Sequence, residues 1–128
     1  MSKGDSETTL QELKDLMTQF RQERGWDKHL TPKNLAISIS LEAAELLEHY
    51  QWDELKKDDD QEIADELADI IITCMSFASV LDLDVTKAFH SKLERIKQKY
   101  PTDVFKPGAD INDAYFKTKQ AYRREGDT

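Results

Sequence analysis

Two pairs of acidic residues have the spacing that brings carboxylates together on one side of a helix. They are Glu42-x-x-Glu45 and Glu66-x-x-Asp69, and side chains three residues apart are neighbours on a helix surface. On a helical wheel, Glu42 and Glu66 lie closer than their partners to the apolar stripes of their segments. Four converging carboxylates supply the hard oxygen ligands that Mg²⁺ or Mn²⁺ accepts. The pattern therefore predicts a divalent-metal site between two helices.

Other acidic pairs could also supply the metal ligands, because Glu45-x-x-Glu48 and Glu62-x-x-Asp65 have the same spacing. Glu48 and Asp65 fall on the sides of their helices that face away from the apolar stripes. Glu62 stays on the side of Glu66 and is a candidate auxiliary ligand or base. A solvated acidic helix face is the simplest alternative to a metal site. It is disfavoured because burying carboxylates beside two apolar stripes is costly without a countercharge.

Composition sets outer limits on the function. The chain has 128 residues, with 26 acidic and 18 basic side chains and a formal charge of −8, which suits one domain. The acidic balance argues against binding to nucleic acid or to anionic membranes. A single cysteine, Cys74, excludes an internal disulfide and multi-cysteine zinc sites. The sequence contains neither a secretory signal pattern nor a long apolar run, so we expect a cytoplasmic protein.

Helix start and stop signals divide the chain into amphipathic segments. With four Gly and three Pro, there are few turns for a β protein, and the sequence predicts an all-α fold. Ser6 is the predicted cap of the first helix, which ends before Gly25. Thr31-Pro32 opens the second helix, which is predicted to end near Trp52. Later helices are predicted over 61–81, 85–100 and 112–124, the last as either a terminal helix or a partly ordered tail.

The second helix carries apolar residues nearly all round. Leu35, Ile39 and Leu46 share one side, whereas Ile37 and Ala44 lie almost opposite. A helix that is apolar on two sides is buried on two sides. In a chain of this size we expect one side to form a subunit interface, with a central helix of a single small bundle as the alternative. The sequence thus predicts a homo-oligomer.

Several motifs together resemble those of the MazG-like nucleotide pyrophosphohydrolases, in particular the single-domain branch that includes the dCTP pyrophosphatases. The matching segments are 40–52 and 62–71, which carry the two acidic pairs, with Pro32-Lys33-Asn34-Leu35 before them and Lys92…Lys99-Tyr100-Pro101 after them. The resemblance implies one MazG-like all-α domain over 1–128. It has a four-helix core at about 6–101, and 102–128 forms a loop plus a terminal helix or tail. It also implies a homodimer or homotetramer.

The resemblance further implies Mg²⁺-dependent cleavage of nucleoside triphosphates to monophosphate and pyrophosphate, as in house-cleaning of nucleotide pools. Mn²⁺ is a possible substitute. The implied metal ligands are Glu42, Glu45, Glu66 and Asp69. Glu45 is also the implied base that activates water. The predicted substrate-binding residues are Trp52, Lys92, Lys99, His29, Lys33 and Asn34.

Two positions depart from the family pattern, and both affect substrate choice. Thr73 stands where relatives often have Tyr, and Ile96 stands where they usually have Asn. Stacking on Trp52 tolerates any base, so the expected substrate is a non-specific or pyrimidine-leaning nucleoside triphosphate.

Three other classes of protein share some of these features. A ferritin-like di-iron bundle needs Glu-x-x-His on two helices, and no histidine of the chain has Glu three residues before it. A phosphoribosyl-ATP pyrophosphohydrolase-like enzyme and a non-catalytic acidic helical interaction protein remain as alternatives. His29, His49 and His90 lack metal-ligand spacing, so surface or packing roles are expected for them.

Overall fold

The computed structural model describes residues 3–52 and 59–125. Within these ranges the chain forms five α-helices and no strand, which confirms the all-α prediction. No described helix is long and apolar enough to cross a bilayer. The helices are α1 (Leu10–Glu23), α2 (Pro32–Glu48), α3 (Asp60–Leu81), α4 (Val85–Lys99) and α5 (Ile111–Arg124).

The beginning of α1 corrects the predicted cap. Thr9, and not Ser6, is the N-cap, and its hydroxyl accepts a hydrogen bond from the backbone N–H of Glu12 at 3.1 Å. The Glu12 carboxylate in turn accepts from the backbone N–H of Thr9 at 3.2 Å. This reciprocal capping box satisfies two backbone donors, whereas Ser6 has no acidic residue three positions later. The observed cap therefore lies three residues after the predicted one.

The caps of α2 and α3 follow local chemistry more closely. Thr31 caps α2 and Pro32 occupies its first turn, as predicted. The predicted end near Trp52 was wrong, because α2 ends at Glu48 and its last turn tightens. The backbone N–H of Tyr50 donates to the carbonyl of Leu47 at 2.9 Å, which is the three-residue step of a 3₁₀ turn. Asp59 caps α3.

Residues Met1–Val85 form one compact unit, in which α3 packs against both α1 and α2. Its core is small, with Leu35, Met75 and Ala78 buried. Arg21 is also buried: its Nε donates to Asp27 at 2.6 Å and a guanidinium nitrogen donates to Ser79 at 3.3 Å. A short polar network therefore ties α1 to α3 and to the segment after α1.

Residues Thr86–Thr128 form a second compact unit, which contains most of α4 and all of α5. Tyr100, Phe105 and Tyr115 pack their rings together with centroids 5.1 to 5.3 Å apart, and Ala114 is buried. The C-terminal segment thus contains a helix, α5, that ends at Arg124. The single-domain assignment of 1–128 stays a prediction.

Candidate metal centre

The structure brings the four predicted carboxylates together where α2 packs against α3. One carboxylate oxygen from each of Glu42, Glu45, Glu66 and Asp69 lies within 4.8 Å of the others. Glu42 and Glu66 are half-buried, whereas Glu45 and Asp69 are exposed. This burial order agrees with the helical wheel, because the inner member of each pair lies nearest its apolar stripe.

The inner carboxylates are poorly satisfied by the protein itself. The Oε2 atoms of Glu42 and Glu66 are buried and have no hydrogen-bond partner among the described residues. Desolvation by burial raises the pKa of Glu42 above its usual value, and the negative charges of Glu45, Asp69 and Glu66 raise it further. The cluster is therefore unfavourable as four free carboxylates.

A divalent cation fits these observations. No described Lys or Arg forms an ion pair with any of the four carboxylates, so no described lysine or arginine neutralises their charge. The donors are all oxygens, and two of them are buried without a partner, which suits a hard ion such as Mg²⁺. The alternative registers are disfavoured, because Glu48, Glu62 and Asp65 are exposed and lie outside this group.

His49 contacts the cluster, and the sequence interpretation missed this. It follows α2 directly, and its Nε2 lies 3.4 Å from Oε1 of Glu66. The two side chains are only 16% and 23% exposed. Helical spacing contained a signal for this contact, since His49 is four residues after Glu45 and seven after Glu42, on the same face of the helix. That contact places His49 beside the cluster rather than in the predicted surface or packing role.

The segment before α2 uses its polar groups to form the helix start. The backbone N–H of Asn34 donates to the Thr31 hydroxyl at 3.2 Å, and its side-chain amide donates to the carbonyl of His29 at 3.0 Å. The side chains of His29 and Lys33 are exposed. These three residues were predicted to bind substrate, and the contacts described here give Asn34 a role in local structure.

The two tryptophans differ in their surroundings. Trp52 is 90% exposed, whereas Trp26 packs edge-on against Phe20 with centroids 5.5 Å apart. Thr73, the residue that departs from the family pattern on α3, donates its hydroxyl proton to the backbone carbonyl of Asp69 at 2.8 Å. Trp52 is therefore the aromatic ring with more surface available for stacking.

The predicted phosphate-binding residues Lys92 and Lys99 belong to α4, in the second compact unit. Within that unit they line a groove of about 610 Å³. The remaining lining residues are Arg95, Ile96, Gln98, Lys119, Tyr122 and Arg123. Ile96, the second departure from the family pattern, thus lies among basic side chains.

Comparison with known proteins agrees with this fold and site. The profile of the MazG-like family matches residues 37–107, a range that includes all four carboxylates. The chain belongs to the MazG-like family, which confirms the resemblance seen in its motifs.

Individual relatives are between 28% and 35% identical to this chain over the aligned residues. The chain is 28% identical to dCTP pyrophosphatase 1 of Rattus norvegicus over 111 residues, which cover 80% of this chain and 65% of the relative. For dCTP pyrophosphatase 1 of Homo sapiens, 28% identity extends over 106 residues, or 77% of this chain and 62% of the relative. The match thus spans less than two thirds of either relative. The crystal structure of a pyrophosphatase from Archaeoglobus fulgidus superposes with a TM-score of 0.62 and 35% identity, covering 79% of this chain and 98% of that one.

Proposed function

We propose that this protein is a Mg²⁺-dependent nucleoside triphosphate pyrophosphohydrolase, which cleaves between the α and β phosphates to give a monophosphate and pyrophosphate. The observation that carries the proposal is the group of four carboxylates within 4.8 Å, two of which have buried oxygens without a hydrogen-bond partner in the described part of the chain. Similarity to dCTP pyrophosphatase 1 and to the pyrophosphatase of Archaeoglobus fulgidus supports this class of reaction. A role in removing unwanted nucleotides from the pool and a cytoplasmic location belong to the same proposal.

The four carboxylates divide the work according to their burial. Glu42 and Glu66, with Asp69 and Glu45 beside them, hold the cation, and Mn²⁺ is a suitable substitute. When bound, Mg²⁺ offsets negative charge on the phosphate oxygens as the anhydride bond breaks. Glu45 is exposed and is our candidate for the base. It accepts a proton from the water whose oxygen bonds to phosphorus while pyrophosphate leaves.

Substrate recognition draws on residues with accessible side chains. Trp52 is suited to stack on the base, and the stacking interaction tolerates any base. Lys92 and Lys99 supply positive charge for the phosphates, with His29, Lys33 and Asn34 as further substrate-binding candidates. A pyrimidine deoxynucleoside triphosphate is the leading substrate because of the similarity to dCTP pyrophosphatase 1, with broad selectivity expected from Thr73 and Ile96.

A homodimer or homotetramer is part of the proposal. On α2, Ile37, Leu41 and Leu47 are 48%, 60% and 64% exposed, and on α3 Leu67 is 52% exposed. Large apolar side chains clustered on packed helices favour burial in an interface. Light scattering should give a mass that is two or four times 14.8 kDa, and a well-folded monomer at micromolar concentration contradicts this part.

The reaction is tested by incubating the protein with a panel of deoxy- and ribonucleoside triphosphates and phosphoribosyl-ATP. Pyrophosphate and orthophosphate are measured separately, with Mg²⁺, with Mn²⁺ and with EDTA. We expect pyrophosphate release that requires the divalent ion. Orthophosphate as the first product, turnover that persists in EDTA, or no turnover on any nucleotide contradicts the proposal.

A further inference from the structure

The second compact unit is basic although the whole chain is acidic. Residues 86–128 contain ten Lys and Arg against six Asp and Glu, whereas residues 1–85 contain eight against twenty. Half of those ten cations line the α4–α5 groove, and none of its described lining residues is a carboxylate. The five are Lys92, Arg95, Lys99, Lys119 and Arg123. Positive charge is therefore concentrated at one place in an otherwise negative protein.

These groove cations have no anionic partner in the described part of the chain. None of the five forms an ion pair with a described carboxylate, whereas the neighbouring Lys117 pairs with Asp113 at 3.0 Å. The Nζ of Lys99 instead lies 4.4 Å from the centroid of the Tyr122 ring. Like charges held around one groove repel each other, and a bound polyanion relieves this repulsion.

We propose that the α4–α5 groove binds a polyphosphate anion of two or three phosphate groups, with Lys119 and Arg123 of α5 as part of the site. Arg side chains present paired donors that match phosphate oxygens, and a groove of about 610 Å³ has room for such an anion. The α5 residues lie beyond the range 37–107 that the family profile matches. Identifying the anion as substrate triphosphate or product pyrophosphate rests on the proposed function.

The groove is tested in EDTA, where the carboxylate cluster holds no cation to attract phosphate. Binding of tripolyphosphate is measured by calorimetry for the native protein, for Lys119→Gln/Arg123→Gln, and for the matched control Lys117→Gln. We expect the double variant to bind about five- to tenfold more weakly, and the control to bind like the native protein. Circular dichroism checks that each variant keeps its helices. Equal affinity in the native protein and the double variant, or no binding at all, overturns the proposal.

Further ligands distinguish the sources of the anion. Tighter binding of tripolyphosphate than of pyrophosphate indicates the substrate end, the reverse order indicates the product, and either supports the site. Tighter binding of a single-stranded oligonucleotide than of tripolyphosphate overturns it in favour of nucleic acid. Pyrophosphate release in Mg²⁺ is measured separately. If the protein hydrolyses nucleotides but does not bind tripolyphosphate in EDTA, the groove proposal fails and the proposed function is unaffected. If it binds tripolyphosphate but does not hydrolyse nucleotides, the proposed function fails and the groove proposal is unaffected.

His49 carries an independent inference, which rests on the proposed metal site. Its Nε2 lies 3.4 Å from Oε1 of Glu66, the long end of the hydrogen-bond range, and an ionised carboxylate oxygen at that distance accepts from an N–H group. Because both side chains are half-buried, water competes little for this contact. The other oxygen of Glu66, Oε2, is buried and has no described partner. The contact therefore engages one oxygen of the carboxylate and leaves the second for another ligand.

We infer that His49 is a positioning residue, which restrains the Glu66 carboxylate before a cation binds. Groups that hold a ligating side chain in place typically change metal affinity by about ten- to a hundredfold when they are removed. The restraint requires a donor at this position and no change of charge. It therefore predicts different outcomes for substitutions that keep an N–H group and for those that remove it.

The test measures Mn²⁺ binding by electron paramagnetic resonance, without nucleotide. His49→Leu should lose about tenfold in affinity, His49→Gln should retain most of it, and the exposed His90→Leu on α4 should bind like the native protein. An equal loss in His49→Gln and His49→Leu, or no loss in either, overturns the positioning role. If the native protein binds no Mn²⁺, the metal site itself fails, which is a different result.

Discussion

The two compact units each gather like charges on a pair of helices, and they differ in how much water reaches those charges. In Met1–Val85, Glu42 and Glu66 are half-buried, and each keeps one buried oxygen that has no hydrogen-bond partner among the described residues. In Thr86–Thr128, the groove cations are exposed, apart from the half-buried Lys99. Water can solvate an exposed ammonium or guanidinium group but not a buried oxygen. Burial, more than the number of charges, therefore determines how strongly each cluster needs a counter-ion.

The largest expected effect comes from neutralising a half-buried carboxylate. Glu66→Gln removes a ligand charge while keeping the size of the side chain, so Mg²⁺-dependent turnover should fall by at least about a hundredfold. The helical circular dichroism spectrum should not change. The matched control is Asp65→Asn, because Asp65 is the exposed neighbour and accepts a local hydrogen bond from Gln61 at 2.8 Å. Similar losses of turnover in both variants contradict the proposed difference between buried and exposed carboxylates.

The next effect concerns a buried cation of the first unit. Arg21 is buried and donates to Asp27 at 2.6 Å, so Asp27→Ala leaves a desolvated guanidinium short of an acceptor. The free energy of unfolding in urea should drop by about 1–3 kcal/mol. Asp15→Ala is the control, since Asp15 is exposed on α1, the helix that carries Arg21, and accepts a hydrogen bond from Gln11. An equally small change in both variants argues that water already reaches Arg21.

A smaller effect follows from the raised pKa of Glu42. The folded-state pKa lies above the ordinary value of 4.5, so the protonated form is favoured by folding. Its stabilising contribution is complete below about pH 4.5 and is lost as the pH rises through the folded-state pKa. In EDTA, Glu42→Gln should therefore be more stable than the native protein at neutral pH, with the gap closing as pH falls.

This stability difference is measured by urea unfolding at a series of pH values. Glu48→Gln, on the exposed side of α2, should show no such pH-dependent gap. Adding Mg²⁺ should stabilise the native protein and not Glu42→Gln, because the cation replaces the proton as the compensating charge. A native protein that stays more stable than Glu42→Gln in EDTA at neutral pH contradicts this account.

The smallest effect is expected in the groove of the second unit. Single substitutions such as Arg95→Gln or Arg123→Gln should change the free energy of unfolding by less than about 0.5 kcal/mol. Both residues are exposed and lack a described ion-pair partner, so their removal breaks no ion pair among the described residues. Urea unfolding at low and high salt checks this. A loss of unfolding free energy as large as that of Asp27→Ala contradicts the proposed difference between the two units.

Local sequence chemistry predicted much of this molecule. The Thr31-Pro32 start of α2 and the acidic start of α3 follow from backbone donors that only nearby side chains can satisfy. The pairing of Glu42 with Glu45, and of Glu66 with Asp69, follows from helical spacing alone. The predicted cap of α1, Ser6, was wrong because Thr9 and Glu12 form a reciprocal capping box that Ser6 cannot form.

The sequence by itself therefore determined the helices, the two carboxylate pairs and the inner member of each pair, because these depend on periodicity within one segment. Tertiary structure alone decided that the two carboxylate pairs meet within 4.8 Å. It also brought His49 to Glu66, which lies 17 residues later in the sequence, and it added Lys119 and Arg123 of α5 to a groove on α4. These features depend on how helices pack against each other. Packing is set by the sum of many weak side-chain contacts, which no single spacing in the chain records.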